Sequence, residues 1–373
     1  MKIVKVETFH LEHPLPRAAG CSTGMYSARD VLLVKLTTDE GLAGWGETSP
    51  LRGLQALIEQ RYAPLLVGRD PLRHRALWRD LWGPNFGNGL AVAAVDIALH
   101  DLRGQALGVP VAELLGGRQR DRVPVYASCM NYTEGIEPEE HYPAAARDAL
   151  GRGFRAMKMR IGRYEPRREL RFIAAVREAV GPDVKLMADG NGAYTAKQAL
   201  QVGRELEQLG FYWFEEPMPQ AGARYPSYDG LADKLGIALA GGEALDSRGG
   251  AHDLLRRRLF DVIQPDATLC GGIAECLFIA EMAEQWGTLC VPHCWAGAVA
   301  IAASVHLLAI LPDPTWAPIA AAPMLELDLI ESRFRDELAS RPVDIREGFA
   351  LVPTAPGLGI EVEEDVVLRY RKK

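Results

Sequence analysis

The first fifty residues alternate apolar and polar positions with a period of two. Ile3 to Leu11 reads as a strand, Val31 to Thr38 as a second and Leu42 to Glu47 as a third, with a turn at Asp39-Glu40-Gly41 between the last two. The period then lengthens. Ala91, Ala94, Val95, Ala98 and Leu102 fall on one helical stripe, which stops before Gly108-Val109-Pro110. From Val123 the order becomes strand, loop, helix, repeated. The strand-like runs are Val123 to Ser128, Ala156 to Ile161, Val184 to Ala188, Phe211 to Phe214, Ile237 to Ala240, Leu259 to Ile263, Thr288 to Val291 and Met324 to Leu327. Helical segments with recognisable ends lie between most of them: Thr195 and Gln198 have capping-box spacing, Gly210 follows that helix, and Gly181-Pro182 closes the one from Glu165. Strands alternating with helices predict a parallel sheet, and about eight in succession predict a closed barrel.

Seven of those eight apolar runs, all but the first, carry an ionisable residue at or just beyond their C-terminal end. In order they are Lys158 and Arg160, Asp189 and Asn191, Glu215 and Glu216, Glu243, Asp266, His293 and Glu326. A charge at the end of a buried strand is costly unless it is paired or bound to metal, so a series of them implies one shared destination. In a (β/α) barrel that destination is the bowl at the C-terminal strand ends. Lys158 and Arg160, two apart, point to the same side of their strand, as do Asp189 and Asn191. Asp189, Glu215 and Glu243, from consecutive strands, make a hard-oxygen cluster suited to Mg²⁺. His293 ends the seventh run and Asp266 the sixth. A neighbouring carboxylate holds an imidazole in one tautomer and raises its basicity, as a general base requires. His100 and His306, inside apolar runs, read as core residues.

Composition narrows the class of partner. The 373 residues are 48% hydrophobic and 24% charged with 37 glycines, enough for a large core and two domains. The net charge of −7 is spread along the chain and leaves no basic stripe for nucleic acid. The N-terminus alternates apolar with charged residues and lacks the continuous apolar stretch of a secretory signal, and the apolar runs elsewhere are too short and interrupted to span a bilayer. Six cysteines without a CxxC pair suit a reducing compartment, so a cytoplasmic protein acting on small molecules is expected.

The segments Lys158-Met159-Arg160, Ala188-Asp189-Gly190-Asn191, Phe214-Glu215-Glu216-Pro217, Gly241-Gly242-Glu243, Gln264-Pro265-Asp266 and Val291-Pro292-His293 resemble the successive strand-end motifs of the enolase superfamily, in its mandelate racemase subgroup. Gly44-Trp45-Gly46-Glu47, Leu114-Leu115-Gly116-Gly117 and Leu325-Glu326-Leu327-Asp328 extend the likeness over the whole chain. The resemblance implies a modified (β/α)8-type barrel of (β/α)7β form over residues 119–328. An α+β capping domain over 1–118 and a C-terminal segment, 329–373, that packs back on the cap complete the expected organisation. It further implies Mg²⁺ on Asp189, Glu215 and Glu243, with Asn191 and Glu216 beside it or near substrate. His293 with Asp266 would be the base, and Lys158 and Glu326 would face the carboxylate of a small-molecule acid. A loop around Gly20 to Tyr26 would close over the ligand, with His13, Tyr26 and Asn131 as candidate substrate contacts. A homo-oligomer, dimer or octamer, belongs to the same expectation.

One departure from the subgroup pattern bears on the reaction. In the racemase the second basic residue of the second strand is a lysine that acts as base on the opposite face, whereas here it is Arg160. A guanidinium keeps its proton far above neutral pH and serves as a clamp. One-base elimination is therefore expected over two-base racemisation, which points to dehydration of an acid sugar. Pro292-His293-Cys294-Trp295 and Cys270-Gly271-Gly272 resemble the galactarolactone cycloisomerase branch, so lactone isomerisation is the alternative; a non-catalytic acid-binding protein is a further one. The stretch Asp266 to Cys270 has no lysine of the muconate cycloisomerase kind, and Tyr126 to Asn131 has no HxH of a zinc amidohydrolase.

Overall fold

The computed structural model describes residues 1–85, 87–313 and 322–372. β1 (Ile3–Gly20), β2 (Met25–Thr38) and β3 (Ala43–Thr48) form an antiparallel meander. The first two strands run well past the expected ends at Leu11 and Val31. Pro14 and Pro16 interrupt the alternation there, and the ladder tolerates them through a register shift between Pro14 and Ala19. The segment Gly20 to Tyr26, expected as a loop, is thus the tip of a long β-hairpin. Its Ser22 hydroxyl donates to the Gly190 carbonyl at 2.7 Å, docking the tip on the barrel rim.

The helix Gly89–Leu107 is capped by the Asn88 side chain, which accepts from the Ala91 N–H at 3.0 Å, and it ends at Gly108 with φ 70°. The sequence marks one apolar stripe on it, yet it is buried on nearly every side. It lies between the cap sheet and the barrel, so its second face is buried by tertiary packing. Gly44 and Gly46 allow that closeness: a Cβ at Gly46 would sit 1.8 Å from the Ala94 carbonyl oxygen.

The barrel starts with β4 (Arg122–Met130). After the short β5 (Tyr132–Thr133), which pairs with the end of β1, it continues through β6 (Ala156–Arg160), β7 (Lys185–Asp189), β8 (Trp213–Glu215), β9 (Ala238–Gly241), β10 (Val262–Ile263), β11 (Leu289–Cys290) and β12 (Leu325–Asp328). All barrel pairings are parallel, in the order β12-β4-β6-β7-β8-β9-β10-β11. This is the expected (β/α)7β barrel with an α+β cap. The β8 to β9 connection carries only the 3₁₀ turn Ala232–Lys234 and is held by edge contacts among Tyr225, Tyr228 and Phe260. The hairpin β13 (Ile345–Arg346) and β14 (Phe349–Leu351) joins the start of β4, and the helix Glu364–Tyr370 returns to β1, where the Lys372 N–H donates to the His10 carbonyl at 2.7 Å. Among the described residues no helix is long and apolar enough to cross a membrane.

Candidate active site

Inside the barrel the period-two rule sorts side chains into tiers. The floor is one buried residue from each strand or its edge: Tyr126, Ala156, Met187, Trp213, Ala240, Val262, Val291 and Met324. Two residues further along several strands, the next inward position is polar: Ser128, Lys158, Asp189, Glu215, Gln264, His293 and Glu326, all buried. A hydrophobic plug thus excludes water from below a layer of charges, and the low dielectric strengthens every interaction in that layer.

Asp189 pairs in register with Arg160 on one side and Glu215 on the other. Oxygens of Asp189, Glu215 and Glu243 lie within 4.8 Å of one another. Lys158 Nζ sits 2.7 Å from Glu215, 2.8 Å from Glu326 and 3.6 Å from Asp189. Burial lowers the lysine pKa, but these carboxylates outweigh it and raise it. Glu215 also accepts from Trp213 Nε1 at 3.0 Å and Gln264 Nε2 at 3.1 Å, and Lys158 keeps it ionised against the cost of burial. Glu326 is held at about 2 in the same way, burial being overcome by Lys158, His293 and Arg160. Removing Lys158 alone would leave these acids without their counter-charge, a cost of about 3–5 kcal/mol.

Asp189 is different. It contacts Arg160, whose guanidinium also reaches Asn191 Oδ1 at 3.1 Å. Even so, burial together with the charges of Glu215 and Glu243 pushes its carboxyl up to about 7. The triad is short of positive charge, and its all-oxygen donor set fits a hard divalent cation. The chain turns sharply beside it: Asn191 and Glu216 have φ of 45° and 36°, in the left-handed region that costs a non-glycine residue about 1–2 kcal/mol. Glu216 is fully buried behind the triad, accepting from Tyr225 Oη at 2.7 Å and the Gly242 N–H at 3.1 Å, and its carboxyl is raised well above the usual range by burial and by Glu243 and Asp189.

Across the bowl, His293 Nδ1 lies 2.7 Å from Asp266 Oδ2, and His293 Nε2 lies 3.3 Å from Glu243 and 3.8 Å from Glu326. Burial alone would lower the imidazole pKa. The carboxylates of Glu243, Glu326 and Asp266 outweigh it and raise His293 to about 10.

A cavity of about 250 Å³ opens between these groups and the cap, lined on the barrel side by Arg160, Asn191, Glu243, Asp266, His293 and Trp295. Tyr26 lines it from the cap and Asn131 from the end of barrel strand β4, with the Tyr26 hydroxyl and both polar atoms of the Asn131 carboxamide buried and without a protein partner. Lys158 and Glu326 lie deeper, beneath the cavity wall. His13 is a correction. It sits under the helix Glu364–Tyr370 in edge contact with Phe334 and Tyr370, and its ring nitrogens meet the Pro14 carbonyl and the Arg333 N–H. Its strand carries it away from the barrel mouth, so it is not a cavity residue. Trp295 stood in the sequence only as the last residue of the Pro292-to-Trp295 motif, with no site role assigned; its ring lies 4.8 Å from the Arg160 guanidinium and 5.2 Å from that of Arg29. Its place two residues after His293 was the available signal.

His74, His100 and His306 are structural. His306 accepts from the Ala112 N–H and donates to the Leu358 carbonyl. His100 clusters with His74 and Asp96 within metal-ligating distance, but the Asp96 carboxylate is already used by His74 Nε2 at 2.7 Å and the Ala274 N–H at 3.1 Å, and the Arg103 guanidinium lies 3.3 Å from His100 Nδ1.

Barrel, cap and an acidic mouth facing a histidine–aspartate pair define an enolase-type barrel enzyme. Residues 3–116 match the mandelate racemase / muconate lactonizing enzyme N-terminal domain, and residues 141–366 the enolase C-terminal domain-like family. D-galactarolactone cycloisomerase of Agrobacterium fabrum is 34% identical over 100% of this chain and 99% of its own length. Arabinonate dehydratase of Saccharolobus solfataricus is 31% identical over 95% and 97%. The crystal structure of the 3,6-anhydro-D-galactonate cycloisomerase from Zobellia galactanivorans superposes with a TM-score of 0.88 at 33% identity, covering 100% of both chains. The chain belongs to the mandelate racemase / muconate lactonizing enzyme family of the enolase superfamily.

Proposed function

We propose that this protein removes the proton α to the carboxylate of an acid sugar and expels the β-hydroxyl, acting as an aldonic or aldaric acid dehydratase. The observation that carries this reading is the shared cavity wall: Asp266 holds one nitrogen of His293 at 2.7 Å while the other nitrogen faces Glu243 of the acid triad at 3.3 Å. A base and a cation site are thus set to act on one small acid.

Asp189, Glu215 and Glu243 would hold Mg²⁺, which their hard oxygens suit. When bound, the ion supplies stabilisation of the negative charge that develops on the substrate carboxylate as the proton leaves. In its neutral form, which a cation on Glu243 would favour by offsetting the carboxylate that raises it, His293 keeps its Nδ1–H donated to Asp266, takes that proton at Nε2 and returns it to the departing hydroxyl. Lys158, 2.7 Å from Glu215 and 2.8 Å from Glu326, is the fixed positive charge beneath the cavity that offsets these acids as negative charge develops on the substrate. Arg160, fixed between Asp189, Asn191 and the Trp295 ring, remains a permanent cation and clamps a substrate oxygen. Asn131 and Tyr26 offer unpartnered polar atoms to the substrate hydroxyls. We place the protein in the cytoplasm as a homo-oligomer, a dimer or octamer; its six free thiols suit that compartment.

The test is a panel of aldonic and aldaric acids and their lactones with Mg²⁺ in deuterated water, followed by NMR. Water loss from one acid, abolished by His293→Asn, is the expected result. Full racemisation without water loss refutes it, and thermal protection by several acids with no reaction assigns a binding protein. A second reading, isomerisation of an aldarolactone, is supported by the full-length likeness to the galactarolactone enzyme and is scored by lactone consumption in the same panel.

A further inference from the structure

We propose that Glu47 and Thr48, adjacent at the end of cap strand β3, position the His293–Asp266 pair, one gripping the loop after the histidine and the other the loop after the aspartate. This rests on the base assignment above. Glu47 is 1% exposed, and both of its oxygens are occupied: Oε1 accepts from the Gly297 N–H and Oε2 from the Ala300 N–H at 3.1 Å. Those are first-turn donors of the helix Ala298–Ile310, which begins five residues after His293, and a carboxylate is the natural partner for such a terminus. The grip is close-packed against Gly297, where a Cβ would meet both Glu47 oxygens at 3.0 Å.

Thr48 works on the neighbouring loop. Its hydroxyl donates to the Thr268 carbonyl at 2.6 Å. The Thr268 N–H and hydroxyl both donate to Asp266 Oδ1 at 2.7 Å, which leaves Asp266 Oδ2 for the imidazole. An unbroken hydrogen-bonded path therefore runs from the cap through Thr48, Thr268 and Asp266 to His293. Glu47 and Thr48 both border the cavity, but their polar atoms are spent on the barrel loops, so they act through the base and not on the substrate. The cap does more than cover the mouth: it fixes the angle at which the base meets its proton. A displacement near 1 Å there costs up to roughly 100-fold in rate.

Thr48→Val, Thr48→Ser and Glu47→Gln test this in the full-length protein, with melting curves to establish folding. Thr48→Val should lower kcat roughly tenfold or more with KM within about threefold, and Thr48→Ser, which keeps the hydroxyl, should restore it. Glu47→Gln should lower kcat roughly tenfold, since its amide turns a donor toward one of the two N–H groups. A second readout needs no turnover. The His293 Nδ1 proton, assigned by its loss in His293→Asn, should resonate far downfield in the wild type and in Thr48→Ser, and move upfield or broaden in the other two. Unchanged rates and an unchanged resonance in Thr48→Val and Glu47→Gln overturn the proposal. If the wild type turns over no acid, the dehydratase reading falls while the resonance still decides the positioning role. A variant that fails to fold leaves the decision to the other.

Discussion

Replacing Asp266 by asparagine should disable the base by forcing the wrong tautomer, and the structure says which way the new amide must face. Asp266 Oδ1 accepts from the Thr268 N–H, a group that can only donate. The oxygen of the introduced carboxamide must therefore take that place, which turns its NH₂ toward His293 Nδ1, now 2.7 Å from Oδ2. Nδ1 becomes an acceptor and the proton moves to Nε2, where Glu243 at 3.3 Å and Glu326 at 3.8 Å welcome it. The cavity then faces an N–H where a lone pair is needed. Aspartate-to-asparagine changes in comparable histidine pairs cost about 10⁴ in kcat, about 5 kcal/mol at 1.36 kcal/mol per decade. We expect a loss of about 10³–10⁴ in kcat with KM nearly unchanged, because the substrate-facing groups stay in place. The assay is water loss from the best acid of the panel, with deuterium uptake at the α-carbon in parallel. Activity within tenfold of wild type would show that Asp266 does not set the tautomer and would refute this account of the base.

Further outcomes can be checked. In metal-free protein the His293 C2–H NMR titration should centre near 10, with the net effect of the surrounding carboxylates exceeding that of burial, and Mg²⁺ should move it down by neutralising Glu243; a titration indifferent to Mg²⁺ would remove Glu243 from the ion's shell. Because this folded pKa lies above the unfolded value near 6.5, the stabilisation from His293 is full below about 6.5 and is lost as pH rises through about 10, so metal-free protein should melt lower at pH 10.5 than at pH 7, and His293→Asn should flatten that slope. Arg160→Lys restores a group able to release a proton on the opposite face; recovered substrate should then show deuterium with inverted configuration, whereas wild type should show none, by chiral analysis. Gly46→Ala drives a methyl to 1.8 Å from the Ala94 carbonyl and should cost about 3 kcal/mol or more, read from the denaturant midpoint.

Much of the barrel was legible because its rules are local. A strand exposes alternate residues to one side, so the inward tier of Lys158, Asp189, Glu215, His293 and Glu326 could be read from spacing alone, and β6, β7 and β12 lie within a residue or two of the expected runs. The cap was less legible. Prolines at 14 and 16 hide the extension of β1, so the sequence points His13 toward the mouth when it packs beneath the C-terminal helix. Glu47 was visible as an acid ending an alternating strand, but its partners lie 250 and 253 residues away.

The chain by itself determined which residues carry charge and that they recur at strand ends; the resemblance to the mandelate racemase subgroup implied that Arg160 stands where a second base would otherwise be. The tertiary structure alone decided which of those charges meet the cavity and which lie under it, and how the cap reaches across to hold the base. Periodicity fixes the side to which a residue points, but burial, hydrogen-bond closure and a shifted pKa depend on neighbours brought together from distant parts of the sequence.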